Sequence, residues 1–309
     1  MSDLARAESI LRAACGDRVR TSFPMAPLTS FRIGGPAAIY LEPESEAELV
    51  ATAGALAEAG LPYVVIGKGS NVLVSDRGFP GIVLQLGRSY RWAARDGHLL
   101  TAGGAMPLPA FAGVALRHSL AGLAFGVAIP ASVGGAVKMN AGAHGAEMAD
   151  VVTEVELFRL DLARTERMAA ADAGFSYRRS ALPPDAVVTG VTVALRPGEP
   201  DAIRAEMDEA RSWRRRTQPL AEPNCGSVFK NPAGGHAAKL IDEAGLKGRH
   251  VGQAHVSTKH ANFIVAGPGA SADDVWALIQ LVVRDVEARF GIALEPEVQL
   301  IGEFDHVAR

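Results

Sequence analysis

A run of β-favouring residues, Tyr63-Val64-Val65-Ile66, passes without a spacer into Gly67-Lys68-Gly69-Ser70-Asn71 and out again into Val72-Leu73-Val74. A Rossmann loop would carry G-x-G-x-x-G after a strand and then open a helix whose N-terminus faces a pyrophosphate. Here Val72 stands where the third glycine belongs, and the continuation is apolar and β-rich rather than helical. The Rossmann reading therefore fails on context, and no G-x-x-x-x-G-K-[ST] supports a P-loop. Two glycines still let backbone N–H groups converge on a phosphate, with Ser70 and Asn71 as short hydrogen-bonding neighbours. An ordinary β-turn between buried strands fits the pentapeptide as well, and the five residues alone do not decide.

A second glycine-dense stretch runs from Gly126 to Gly145 and holds Ile129-Pro130-Ala131-Ser132-Val133-Gly134-Gly135 and Asn140-Ala141-Gly142-Ala143. Small side chains over this length predict a poor helix or strand, but they let backbone lie flat against a planar ligand. Ile129, Val133, Val137 and Met139 are too apolar for a solvated linker.

At 309 residues the chain exceeds one typical core, so two or three domains are expected. Helices are predicted at the N-terminus, with Leu4, Ile10 and Leu11 at helical spacing, from the acidic Glu44–Glu48 stretch to Gly60, and from Pro107 to Ser119. Strands are predicted at 38–41, 72–74, 82–84, 151–160 and 187–195. The turn-rich Arg196-Pro197-Gly198-Glu199-Pro200 precedes a polar helix, Asp201 to Arg216, and marks a boundary near 198. The expected domains are 1–198, in subdomains of roughly 1–80 and 81–198, and 199–309, with a last strand at about 294–302 returning toward the first region. From Ser271 to Phe290, a capping-box-like Ser271/Asp274 pair opens a helix whose Val275, Leu278, Ile279, Val282 and Val286 form a core face.

A net charge of −3 leaves no basic footprint for nucleic acid. Two cysteines, Cys15 and Cys225, make no disulfide framework and suit a reducing compartment. The N-terminus lacks a signal-peptide core, and no run of about eighteen apolar residues offers a membrane span, so the chain reads as cytoplasmic. His250, His255 and His260 recur every five residues, a spacing that converges on neither a helix nor a strand, so no metal is expected.

Three segments, in order, resemble one family: Thr29-Ser30-Phe31-Arg32-Ile33-Gly34-Gly35-Pro36-Ala37, then Gly67-Lys68-Gly69-Ser70-Asn71-Val72-Leu73-Val74-Ser75-Asp76, then Ile129-Pro130-Ala131-Ser132-Val133-Gly134-Gly135-Ala136. That family is UDP-N-acetylenolpyruvoylglucosamine reductase (MurB), and the resemblance covers essentially the whole chain. It implies an α+β chain: a PCMH-type (vanillyl-alcohol-oxidase-like) FAD-binding fold of two subdomains plus a C-terminal α+β substrate-binding domain. It implies FAD and NADPH as cofactors and reduction of a UDP-sugar enolpyruvyl ether to UDP-N-acetylmuramate in peptidoglycan precursor synthesis. A monomer is expected.

Hydride delivered to the terminal carbon of an enolpyruvyl ether leaves negative charge spread toward the adjacent carboxylate, which needs a fixed cation or donor. The neighbouring carbon then needs a proton from a positioned acid. The resemblance assigns Arg178, in Tyr177-Arg178-Arg179-Ser180, to the charge, Ser227 to the proton and Glu297 to their support. Glu295 and Glu297 lie two apart and would share a strand face, so residue type alone does not choose between them. By the same resemblance Gly67, Lys68, Gly69, Ser70, Asn71, Ile129, Pro130, Ser132, Gly134, Gly135, Asn140 and Gly142 contact the cofactor. Tyr177, Arg215, Lys230, Asn231 and His260 contact the substrate. Arg214, Arg215 and Arg216 end a helix, where cations suit the dipole, and diphosphate binding competes with that reading.

Two departures stand out. Gln299 follows Glu297-Val298 where many members carry a basic residue, and 180–211 has no room for the tyrosine-bearing insertion of some members, which implies the shorter subtype. The rival readings are an FAD-dependent alcohol oxidase or dehydrogenase of the same fold, and a nucleotide-binding module without chemistry.

Overall fold

The computed structural model describes residues 2–305. Its first third runs α1 (Asp3–Cys15), β1 (Arg20–Pro24), β2 (Pro36–Leu41), α2 (Glu46–Ala59), β3 (Tyr63–Val65), β4 (Val72–Val74), β5 (Phe79–Leu84), β6 (Ala93–Asp96), β7 (Leu99–Gly103) and α3 (Leu108–Arg117). There follow β8 (Leu120–Ala121), α4 (Val133–Lys138), β9 (Gly142–Ala143), β10 (Ala146–Glu147), β11 (Val152–Arg159), β12 (Arg164–Ala169), β13 (Ala186–Ala194) and β14 (Arg196–Pro197). The last third holds α5 (Pro200–Thr217), α6 (Ala237–Glu243), β15 (His250–Val251), β16 (Ala254–Val256), β17 (Ile264–Ala266), α7 (Ala272–Phe290) and β18 (Gln299–Ile301).

The chain divides into two compact units. The first comprises Met1–Thr21, Ala38–Lys68 and Gly81–Trp213, the second Ser22–Ala37, Gly69–Pro80 and Arg214–Arg309. The division falls inside α5 rather than at the turn-rich 196–200, and two N-terminal segments belong with the C-terminal part. The reason is burial: Ile203, Met207 and Ala210 on α5 join the core of the first unit, so that helix cannot open the second.

In the first unit, β3 and β5 pair in parallel within a sheet ordered β1-β2-β5-β3. Ala7, Leu11 and Cys15 of α1, at intervals of four, bury against Ile39, Leu41, Ala55 and Ile82. Leu4, expected on that face, lies in the first turn of α1 and is exposed, whereas Leu11 is buried as expected. A second sheet, β12-β11-β13-β7-β6, is antiparallel throughout. Its β6, β7 and β12 carry no strong sequence signal, since β12 is exposed or half-exposed along its length.

The glycine-dense stretch departs from its expected irregularity. It holds the end of a 3-10 turn, Ala124–Ala128, the helix α4 and strand β9, which pairs with β10 just beyond it. Ser132 caps α4, its Oγ accepting from Gly135 N–H at 3.3 Å. The small residues serve close packing: α4 rests on β7 and β13, and a Cβ on Gly134 would stand 3.1 Å from the carbonyl oxygens of Gly104 and Val188.

In the second unit, α7 packs on the antiparallel sheet β15-β16-β17 and on α6, and β18 adds in parallel to β4, Gln299 opposite Val72 and Ile301 opposite Val74. Val275, Leu278, Ile279, Val282 and Val286 of α7 are fully buried, as their spacing predicts. Ser271 and Asp274 form the capping box, and Asp76 Oδ2 accepts from Ala272 N–H at 2.7 Å. No helix among the described residues is long and apolar enough to cross a membrane.

Candidate active site

The first glycine loop is shaped by close approach. A Cβ on Gly67 would collide with Ser132 Oγ, so the start of this loop and the cap of α4 meet within the first unit, and Gln85 Nε2 donates to the Gly67 carbonyl. Gly69 has φ +60, and a Cβ there would collide with the Leu28 carbonyl, which admits only glycine. Among the described residues, none of the five backbone N–H groups from Gly67 to Asn71 donates to a protein acceptor. Ser30 N–H donates to the Gly69 carbonyl at 3.0 Å, while the buried Ser30 Oγ has no partner among the described residues. Lys68 is exposed, and Asn71 turns its amide to the Glu297 carbonyl at 3.0 Å.

In the second glycine stretch, Ile129 is half-buried, Pro130 exposed, and Ser132 and Gly134 buried. Asn140 is fully buried with φ +42, its amide donating to the Ser176 carbonyl at 2.9 Å and its Oδ1 accepting from Ala149 N–H at 2.9 Å. Its own N–H donates to the Val137 carbonyl at 3.0 Å.

Arg178 also lies in the first unit. Ser176 and Arg179 exchange both backbone hydrogen bonds, at 2.9 and 3.0 Å, leaving Tyr177 and Arg178 at the tip of a tight turn. Arg178 has φ +56, a conformation that a branched, bulky chain rarely adopts. Its Nη2 donates to the Gly142 carbonyl at 2.9 Å, and its guanidinium lies 5.1 Å from the centre of the Tyr177 ring. Arg178 is half-buried and Arg179 exposed, which distinguishes two neighbours that sequence leaves similar.

Ser227 and Glu297 are in the second unit, on two segments that run antiparallel. Glu297 N–H donates to the Val228 carbonyl at 2.7 Å, Phe229 bridges Pro296, and Lys230 N–H donates to the Glu295 carbonyl at 2.9 Å. Leu294 and Val298 anchor one segment in the core, Val228 and Phe229 the other. Glu295 and Glu297 precede β18 rather than lying on a strand, and their surroundings differ. Glu295 is exposed and pairs with Lys230 Nζ at 2.6 Å, whereas Glu297 is half-buried and its charge reaches Cys225. Burial first, and that charge second, push the Cys225 thiol well up. Ser227 is exposed and follows Gly226, whose φ is +82 and whose N–H donates to Asn224 Oδ1 at 2.9 Å.

Asn262 carries no sequence signal, yet its buried amide spans both backbone groups of Phe229, accepting from N–H at 2.9 Å and donating to the carbonyl at 2.8 Å. Only its pairing with a distant chain segment reveals it.

The expected substrate contacts have other duties as well. Asn231 Oδ1 accepts from Ala237 N–H at the start of α6, and the Arg215 carbonyl accepts from Lys259 Nζ at 2.7 Å. Of the three arginines, Arg214 is partly buried and donates to Gln218, while Arg215 and Arg216 are exposed. His260 lines an open cavity of about 580 Å³ with Lys239, Asp242, Lys247 and Lys259, and burial, then the Lys247 charge, lower its pKa. His250 and His255 face each other across β15–β16 with ring centres 5.0 Å apart. Among the described residues no three His, Cys, Asp or Glu converge in a way that could hold a metal ion.

Residues 37–161 match an FAD binding domain, and 218–301 match the C-terminal domain of UDP-N-acetylenolpyruvoylglucosamine reductase. The chain is 45% identical over 304 residues to "UDP-N-acetylenolpyruvoylglucosamine reductase 2" of Symbiobacterium thermophilum, covering 98% of each. It is 45% identical to the reductase of Anaeromyxobacter dehalogenans over 96% of this chain and 89% of that one. The crystal structure of the Thermus caldophilus MurB superposes with a TM-score of 0.81 at 37% identity, covering 92% of this chain and 99% of that one. Berberine bridge enzyme from Eschscholzia californica, at 16% identity and a TM-score of 0.50 over 63% of this chain and 44% of that one, shares the fold alone. The protein is an α+β flavoprotein of the PCMH-type FAD-binding fold. Within that class, it belongs to the UDP-N-acetylenolpyruvoylglucosamine reductase family. The residues present fit FAD: among the described residues, the backbone N–H groups of 67–71 donate to no protein acceptor and so suit a pyrophosphate.

Proposed function

We propose that this chain reduces UDP-N-acetylglucosamine enolpyruvate to UDP-N-acetylmuramate with NADPH as the electron donor. The observation that carries the proposal is the bond from Asn71, last residue of the first glycine loop, to the backbone of Glu297, together with the pairing of the β4 and β18 strands that follow them. The expected cofactor loop and the expected catalytic carboxylate are thus built on one strand pair.

FAD, when bound, would supply the hydride chemistry between NADPH and the enolpyruvyl group, which no side chain here supplies. The backbone of 67–71 would hold its phosphates, and the small residues of 129–135 with Gly142 would let backbone lie close to it. The chain's own task is electrostatic. Arg178 offers a guanidinium whose aim is set by the Gly142 carbonyl, suited to the substrate carboxylate and to the charge that develops beside it. Ser227 offers an exposed hydroxyl for the proton, and Glu297, fixed through its backbone, supports that transfer. Lys230, Asn231, Tyr177, Arg215 and His260 remain candidates for the nucleotide sugar. We place the reaction in the cytoplasm, where the two buried free cysteines need no oxidant, and expect a monomer that binds neither nucleic acid nor membrane.

Anaerobic titration tests this reading. NADPH should bleach the flavin absorbance, and the enolpyruvyl nucleotide should restore it without oxygen. Recovery with oxygen alone, and none with the nucleotide, would instead support an oxidase.

A further inference from the structure

We infer that Asn140 is a positioning residue for Arg178 rather than a cofactor contact; the inference rests on the role proposed for Arg178. The Arg178 backbone is a conformational outlier. With φ +56 at the third position of the tight turn Ser176–Arg179, it occupies a place that glycine or asparagine normally fills. Such a residue is strained and persists only where the surroundings determine it. Several of the bonds that hold it are identifiable. Ser180 Oγ donates to the Lys138 carbonyl at 2.7 Å, Ala181 N–H to the Ala173 carbonyl at 2.8 Å, and the Arg178 guanidinium itself to Gly142. On the other side of the turn, the Asn140 amide takes the Ser176 carbonyl, the same oxygen that closes the turn by accepting from Arg179 N–H.

Asn140 is placed to do this and little else. Its side chain is fully buried and bonded at both ends, to Ser176 and to Ala149, and its N–H is taken by Val137. Its φ of +42 is one that asparagine tolerates better than other branched residues. It also lies two residues before Gly142, whose carbonyl receives the Arg178 guanidinium. One asparagine therefore sets the turn that carries the arginine and stands beside the carbonyl that aims it.

The test separates the two half-reactions of the FAD-loaded enzyme. Asn140→Gly removes both side-chain bonds and leaves the backbone free to keep φ +42, and Asn140→Asp removes only the donor to Ser176. Both should retain FAD and be reduced by NADPH at the wild-type rate, while reoxidation by the enolpyruvyl nucleotide slows at least about tenfold, the scale of a misplaced catalytic group. Combined with Arg178→Ala, Asn140→Gly should add nothing further, because both act on one guanidinium. Loss of FAD from Asn140→Asp, or a penalty that multiplies fully with Arg178→Ala, would overturn the inference. So would wild-type reoxidation in both Asn140 variants while Arg178→Ala is impaired. If Arg178→Ala itself reoxidises normally, the role proposed for Arg178 is what fails, whatever Asn140 does.

Discussion

Single residues in this chain are constrained by what a single atom would hit. Gly67→Ala sets a methyl group against Ser132 Oγ, which can move only by giving up its cap on Gly135. The expected cost is about 1 kcal/mol, the usual value of such a cap, and Ser132→Ala should largely absorb it in the double variant. Fully additive destabilisation in chemical denaturation would contradict that coupling. Gly69→Ala has no such escape, since the obstacle is the Leu28 backbone and φ is +60. It should lose folded yield or FAD outright.

His260 offers a residue-scale test in pH. Burial and the Lys247 charge both disfavour its imidazolium, so its folded pKa lies below the ordinary value. The unfolded histidine takes up its proton first as pH falls below about 6.5, so this residue makes stability decline with acidification there and contributes no change above it. Lys247→Met should raise the His260 pKa in an NMR titration. An unmoved value would remove Lys247 as a cause.

At the scale of elements, α7 is where sequence and structure agree most fully, because three independent signals coincide. A capping box, a five-residue apolar face and a C-terminal Gly291 with φ +67 all specify one helix. Leu278→Ala should therefore cost about 2–5 kcal/mol of unfolding free energy, and Ser271→Ala about 1 kcal/mol. Similar losses for both would mean that the core face is not what holds the helix. The stretch after Gly126 was less legible. Glycines at 134 and 135 lower intrinsic helix propensity, yet α4 forms with Ser132 as its cap, and Gly134 lets it pack tightly against the Gly104 and Val188 carbonyls. Strands β6, β7 and β12 were missed for the opposite reason, being short or too exposed to alternate clearly. Within the candidate site, the family resemblance rather than residue type singled out Arg178, Ser227 and Glu297. Asn71, Asn140 and Asn262, which bond the backbones of Glu297, Ser176 and Phe229, act across 226, 36 and 33 positions of sequence, a distance over which a one-dimensional pattern carries no information.

At the scale of the whole molecule, the chain alternates between its two units rather than filling them in order. Residues 22–37 and 69–80 belong with the C-terminal part, so the β4–β18 pairing joins positions more than two hundred residues apart. Removing the last strand should accordingly disturb the first glycine loop. A truncation before Gln299 is expected to lose FAD as well as activity, and a truncated protein that keeps its yellow colour would contradict the role of that pairing.

The central claim is that proton delivery by Ser227 can be separated from the flavin's own reduction, and rapid-mixing absorbance on Ser227→Ala measures this most directly. Reduction by NADPH should match the wild type, while reoxidation by the enolpyruvyl nucleotide should fall by about 10²–10⁴-fold, the range for loss of a general acid. Reoxidation at the wild-type rate would contradict the account.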